Sequence, residues 1–206
     1  MKLSALQHIA IIYLLIMVLS YLALIAGKSY VYDENELIEN LQALLLLSSC
    51  AVFLFSLPGT AGAERMILLA GALFFLSLFL REVDVEKLRV PDIIILVGSG
   101  HGRNIILLSL WLIIFAYMLQ RLHDSVNLLW ALLFSRAGAL YLAGGLFLVL
   151  GEVLESLSRS FRFQEEMSEV IGDYIIFIAV LYTPATLASK ARAQNTRRIA
   201  GGVHEP

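Results

Sequence analysis

Long apolar runs separated by short polar segments dominate this chain of 206 residues. A helix needs roughly 20 residues to cross the hydrocarbon core of a bilayer. Six runs come close to that length, at about 8–27, 38–58, 63–81, 104–121, 136–155 and 171–190. Such runs are expected to be helical, because unpaired backbone groups cannot face lipid. The pattern therefore predicts an all-α integral membrane protein with about six transmembrane helices in one bundle.

Prolines and one short apolar stretch refine this prediction. Pro58 and Gly59 form a breaker pair that should end the second predicted helix. Pro184 lies inside the sixth run and should kink or end that helix. The apolar stretch 126–134 is too short to span a membrane alone. It is expected either to lie at the membrane surface with Trp130 as an anchor, or to lengthen the fifth helix.

Composition supports the membrane interpretation and excludes other classes. Hydrophobic residues make up 59% of the chain and charged residues only 16%, whereas soluble domains carry about 25% charged residues. The net charge of −2 gives no basis for nucleic-acid binding. Residues 1–190 show no internal boundary and are predicted to form one transmembrane domain, followed by a flexible basic tail at 191–206.

Acidic residues are concentrated on one side of the predicted bundle. The segments 28–40, 81–104 and 152–173 hold 14 of the 17 Asp and Glu residues, against seven Lys and Arg. The other side holds both termini, three acids and eight bases, with four of these bases in 190–198. Because Lys and Arg favour the cytoplasmic side, both termini are predicted to be cytoplasmic. The acidic side would then face the periplasm or cell exterior of a multi-pass plasma or inner membrane protein.

Carboxylates stand where the predicted helices begin or end on this acidic side. Glu165, Glu169 and Asp173 recur every four residues and share a helix face. Like charges at this spacing repel, so a bound cation or a neighbouring guanidinium should offset them. Four carboxylates are the candidate ligands of a divalent cation such as Ca²⁺, Mg²⁺ or Mn²⁺, which prefer oxygen ligands: Glu39, Glu82, Asp84 and Glu169.

Four further residues are candidates for binding a charged solute. Arg81 and Glu82 follow an unbroken apolar run, so Arg81 is expected to hold Glu82, Asp84 or a carboxylate of another helix. Asp173 lies near the apolar part of the sixth segment, and Glu152 has no obvious local partner. Arg103 belongs to the glycine-rich segment 98–104. That segment is either an anion-binding turn, to which His101 would contribute, or a simple reversal of the chain.

Histidine and cysteine counts limit the chemistry. His101 is the one histidine of the acidic side, and the single cysteine, Cys50, lies inside an apolar run. The ligand count therefore argues against a zinc site, because zinc is usually held by several His and Cys residues. If the protein is an enzyme, His101 and Glu169 are the candidate catalytic residues, acting with a divalent metal on a lipid or another interfacial substrate.

Three classes of function stay open from the residues alone. The first is binding of a cation, a charged small solute or a headgroup at the acidic side. The second is an accessory membrane subunit whose charged network locks helices together and docks a partner. The third is the metal-dependent enzyme described above. Besides the bilayer, a second copy or another membrane protein is a candidate partner. The small residues of 138–145 would allow close helix contact, within the chain or between chains.

Overall fold

The computed structural model describes residues 37–83, 91, 98–157 and 162–201, and the regular structure in these residues is helical. The helices are α1 (Leu37–Phe55), α2 (Gly62–Glu82), α3 (Gly100–Gln120), α4 (Leu122–Leu133), α5 (Arg136–Leu157) and α6 (Arg162–Gly201). They pack into one bundle, which confirms the predicted all-helical fold. The first predicted segment, 8–27, lies outside the described residues.

Among the described residues, four helices are long and apolar enough to cross a membrane. They are α2, α3, α5 and residues 164–193 of α6. The apolar part of α1, Asn40–Phe55, is shorter. Large apolar side chains stay exposed along these helices, including Ile105, Leu112 and Leu146. An exposed apolar surface of this extent is unusual for a soluble monomer, and it suits helices that face lipid.

The core lies where α1, α2 and α6 meet, with α4 closing one side. The ring of Phe53 stacks on that of Phe75, with 5.8 Å between their centroids. Gly71 provides room for Phe53, since a Cβ there would lie 2.8 Å from the ring. Leu68 and Val180 are completely buried in the same cluster. These contacts hold α1 antiparallel to α2 and place both against the middle of α6.

The most extensive helix pair is α5 with α6, and glycines bring their backbones into contact. A Cβ on Gly144 would lie 2.8 Å from the Gly172 carbonyl oxygen, and a Cβ on Gly172 would lie 2.9 Å from the Gly144 carbonyl oxygen. Gly145, the next residue, faces open space. Within the predicted small-residue segment 138–145, Gly144 thus makes an internal contact.

Polar side chains also join these two helices. The Ser168 hydroxyl donates to the Phe147 carbonyl at 2.7 Å. The Tyr141 hydroxyl lies 2.9 Å from that of Thr183, which itself donates to the Ala179 carbonyl. Tyr141 is therefore the donor to Thr183. Such bonds between membrane helices contribute about 0.6 kcal/mol on average, so they supplement the close packing without replacing it.

The stretch after α3 forms its own helix, α4. Phe134 and Ser135 separate it from α5, and the Ser135 hydroxyl accepts a hydrogen bond from the Gly138 N–H as a cap. The prediction that this stretch lengthens the fifth helix is therefore wrong, since a capped turn ends it. Leu128 of α4 is buried in the core, while Trp130 is exposed and stacks on Phe134. This arrangement is compatible with the alternative prediction of a surface helix.

Helix α6 is much longer than its predicted span of 171–190. It has 40 residues and passes through Pro184, so the prediction that Pro184 ends the helix is wrong. Proline leaves one helical carbonyl without its N–H donor, but the hydroxyls of Thr183 and Thr186 bond to carbonyls on either side of the gap. The helix also continues through 191–201, the first part of the predicted tail.

We expect Gly144→Ala to lower the stability of the protein and Gly145→Ala to leave it nearly unchanged. The first methyl group would force α5 and α6 apart, and overpacking of this kind costs about 1–3 kcal/mol. The second would extend into open space. Thermal unfolding in detergent micelles compares the two variants with the parent protein. Equal midpoints for both variants would contradict the close α5–α6 contact.

Candidate charged site

One end of the bundle gathers charged and polar groups from three helices. Helix α1 begins there, α2 ends there, and the first half of α6 lies beside both. The link between α1 and α6 is direct: the Gln42 amide Nε2 donates to Glu169 Oε2 at 3.2 Å. Gln42 is buried and Glu169 is half-buried. An amide from one helix thus holds a carboxylate of another at the edge of the core.

Arg81 adds the end of α2 to this cluster. Its guanidinium binds Glu82 Oε1 through Nη2 at 2.8 Å and Nε at 3.0 Å, so the predicted pairing with Glu82 is present. Arg81 also interacts electrostatically with Glu169 and Asp173 of α6. Its side chain is 73% exposed, and an exposed ion pair contributes little to stability. The main effect of the pair is to fix the position of the Arg81 charge close to Glu82.

The backbone of helix α5 packs directly against the side chain of Glu169. A Cβ on Gly151 would lie 2.8 Å from Glu169 Cγ, so the side chain of Glu169 lies against the α5 backbone. Gln42 bonds to its carboxylate from the side of α1. Two helices therefore restrict the orientation of this carboxylate.

Asp173 lies one turn further along α6. It interacts electrostatically with Glu169, Glu82 and Arg81. Within the described part of the chain, its carboxylate has no hydrogen-bond partner. Glu82, Glu169 and Asp173 thus share the nearby charge of Arg81, which is bonded to Glu82. The cluster carries an excess of negative charge in a half-buried place.

Arg103, which the sequence predicted as a binding residue in segment 98–104, makes a hydrogen bond to another helix. Helix α3 begins at Gly100, so His101 and Arg103 lie in its first turn, earlier than the predicted start at 104. The Arg103 Nη1 donates to the Leu80 carbonyl at 2.5 Å. That carbonyl lies in the last turn of α2, where helical donors run out. Arg103 therefore caps α2 and ties the start of α3 to it.

The remaining predicted site residues are placed less favourably or lie outside the described part. His101 and Glu152 are exposed, and no hydrogen bond joins either side chain to the cluster in the ranges that the structure describes. Asp84 and the side chain of Glu39 lie outside those ranges. Of the four predicted metal ligands, Glu82 and Glu169 can therefore be assessed.

A divalent metal site remains a prediction. Among the described residues, no group of three His, Cys, Asp or Glu side chains is arranged to hold a metal ion. Glu82 and Glu169 lie in the same cluster, and a complete oxygen site would need further ligands from Glu39 or Asp84.

Sequence reasoning did not select Gln42 as a site residue, although its side-chain amide bonds to Glu169 across the α1–α6 contact. A signal was present, because Gln42 is an amide that interrupts the start of a long apolar run. Polar side chains inside such runs usually face the bundle. The sequence does not show which helix packs opposite Gln42.

No protein-family model, curated protein or solved structure matches this chain. The functional proposal accordingly rests on the geometry of the cluster itself.

We expect Gln42 and Glu169 to be energetically coupled in a double-mutant cycle. Gln42→Leu leaves the half-buried Glu169 carboxylate without its amide donor and should destabilise the protein, because hydrogen bonds to charged groups contribute about 1.5–3 kcal/mol and leaving one unmade is costly. Adding Glu169→Leu removes that unpaired group. The double variant should then be more stable than the sum of the single losses by about 1–2 kcal/mol. Chemical denaturation of the four proteins measures this coupling, and additive losses would contradict the bond.

Proposed function

We propose that this chain is a multi-pass membrane protein whose charged cluster binds a small cation, or the cationic group of a small solute. Its binding residues are Glu169 and Asp173, with Glu82 beside them. The acidic end of the bundle would face the periplasm or cell exterior and the termini the cytoplasm, in line with the distribution of Lys and Arg.

The observation that carries the proposal is the mismatch of charge at half-buried positions. Arg81 is bonded to Glu82, while Glu169 is bonded to a neutral amide. Asp173 has electrostatic neighbours, two of which are acidic. Removing carboxylates from water without matched partners is expensive. A bound cation would offset that cost, and it would be attracted by the excess of acids on this side of the chain.

The position of the cluster favours binding over deep transport. Its members lie near the ends of α1 and α2 and in the first half of α6. Transporters usually place polar groups near the bilayer midplane on interrupted helices. In the described ranges, the middle parts of α2, α3 and α5 are almost wholly apolar. A site at the membrane boundary, open to the water phase, fits this distribution.

The cation hypothesis predicts that a suitable ion stabilises the folded protein. The detergent-purified full chain would be melted after EDTA treatment, and then with Na⁺, choline, Ca²⁺, Mg²⁺ or Mn²⁺ added separately. A ligand that binds only the folded state, at about 100 times its dissociation constant, stabilises by about 2.7 kcal/mol. Glu169→Gln and Asp173→Asn should abolish the increase in midpoint.

Glu155→Gln is the matched control, because Glu155 is an exposed acid on α5 near the same end of the bundle. It should keep the full response to the ion. The proposal fails if none of the five cations raises the midpoint. It also fails if the Glu155 variant loses the response as completely as the Glu169 and Asp173 variants do.

One observation favours the accessory-subunit alternative. None of the 21 residues of α3 is buried in the described bundle, whereas α2, α5 and α6 each bury several. A spanning helix this exposed suits a partner helix as well as lipid. Photo-crosslinking from Leu112 of α3, with Leu146 of α5 as the control position, distinguishes the two. A defined protein adduct at Leu112 supports the alternative, and lipid adducts at both positions count against it.

A further inference from the structure

An open cavity of about 880 Å³ lies at the opposite end of the bundle from the charged cluster. The loop from α1 to α2, the first residues of α2, the α3–α4 junction and the second half of α6 line it. Along α6, the cavity residue Ala188 lies about 22 Å from Asp173, at 1.5 Å per helical residue. The cavity is therefore separate from the cluster to which the proposed function belongs.

Among the described residues, four charged side chains line this cavity: Glu64, Arg121, Asp124 and Arg192. Glu64 interacts electrostatically with Arg192. Arg121 is exposed, and within the described ranges its guanidinium makes no hydrogen bond or ion pair, although its backbone bonds to Met118 and Ser125. Its guanidinium lies over Gly62, where a Cβ would be 3.1 Å from Nη1. The cavity thus presents a guanidinium whose donors are not used by the described part of the protein.

The location of Arg121 makes an anionic occupant favourable. Its guanidinium lies beside Gly62, the first residue of α2, where the partial charge of the helix is positive. A cation is disfavoured there unless an anion lies between the two. Guanidinium groups bind phosphate with two parallel hydrogen bonds. A phosphate group therefore suits this part of the cavity.

The other wall is apolar. Phe55, Leu128, Pro184, Ala185 and Ala188 line it, and Phe55 is 84% exposed. An apolar wall beside a guanidinium fits an amphiphile whose charged group enters the cavity and whose hydrocarbon part runs along α6. The cavity also lies near one end of the described helices that are long enough to span a bilayer, so in a membrane it would lie at the depth of lipid headgroups.

We propose that this cavity binds a phosphate group, carried by a lipid headgroup or by a small water-soluble compound, with Arg121 as its principal ligand. Arg192 supports the site from α6, and Glu64 and Asp124 are positioned to contact a cationic group on the same ligand. Ala185 and Phe55 contact the apolar part when the source is a lipid. This site is independent of cation binding at the other end.

The test uses the full chain in detergent after removal of bound lipid. Its melting midpoint is followed against rising concentrations of inorganic phosphate, short-chain phosphatidylethanolamine, short-chain phosphatidylglycerol and a diacylglycerol of the same chain length. Arg121→Gln should weaken binding of the phosphate-bearing ligands at least tenfold. Arg136→Gln is the matched control, because Arg136 is exposed at the start of α5, at the same end, and does not line the cavity. It should change affinity less than threefold.

Ala185→Leu separates the two sources. Ala185 is exposed on the cavity wall, so the larger side chain fills space that the hydrocarbon part of a lipid would occupy, without entering the core. Loss of phospholipid binding with inorganic phosphate binding retained supports a headgroup site that has its own phosphate pocket. Binding of inorganic phosphate that is as tight as that of phospholipid supports a soluble ligand. Equal stabilisation by diacylglycerol and phospholipid, or equal effects of Arg121→Gln and Arg136→Gln, would overturn the proposal.

Discussion

The backbone contact between Gly144 and Gly172 determines how α6 lies on α5, and both charged regions of the bundle depend on it. A helix that approaches this closely cannot rotate without driving a side chain into the neighbouring backbone. The orientation of α6 therefore follows from a pair of absent side chains. With that orientation, Glu169 lies against Gly151 and bonds to Gln42, while Thr183 meets Tyr141 further along.

Helix α6 extends the consequence of this contact to both ends of the protein. It packs on α1, α2, α4 and α5, so any group on its surface has a defined neighbour. Its first half supplies Glu169 and Asp173 to the acidic cluster, and its second half lines the cavity beside Arg121. One helix thus contributes residues to both of the proposed sites, which would favour ligands of opposite charge.

Removing charged side chains from water costs free energy, and local partners reduce that cost for some of these residues. Arg81 pairs with its neighbour Glu82, and Arg103 caps the end of α2. Both arginines therefore have partners within the fold. Glu169 and Asp173 of α6 have weaker compensation, since Glu169 bonds to a neutral amide and two of the charges near Asp173 are acidic. An uncompensated group is a poor way to stabilise a fold, which is why these carboxylates, more than the arginines, carry the functional proposal.

The sequence by itself determined the helical fold and most helix positions, because the hydrophobic length needed in a bilayer leaves few alternatives to helices. The predicted spans 63–81 and 136–155 differ from α2 and α5 by at most two residues at either end. It also indicated that acids gather on one side. It did not predict the passage of α6 through Pro184, because hydroxyl bonds and packing around the proline decide whether the helix continues.

The tertiary structure decided which polar residues meet. Gln42 and Glu169 are 127 residues apart in the chain, and no local pattern pairs them, since the pairing follows from the contacts of α1 and α6 with a common core. The same reason separates His101 and Glu152, which are exposed, from the cluster. In the sequence, Arg121 is likewise an ordinary loop residue, and only the folded structure places its guanidinium beside the start of α2. Periodicity reports which residues are helical, but only packing determines which faces are opposed.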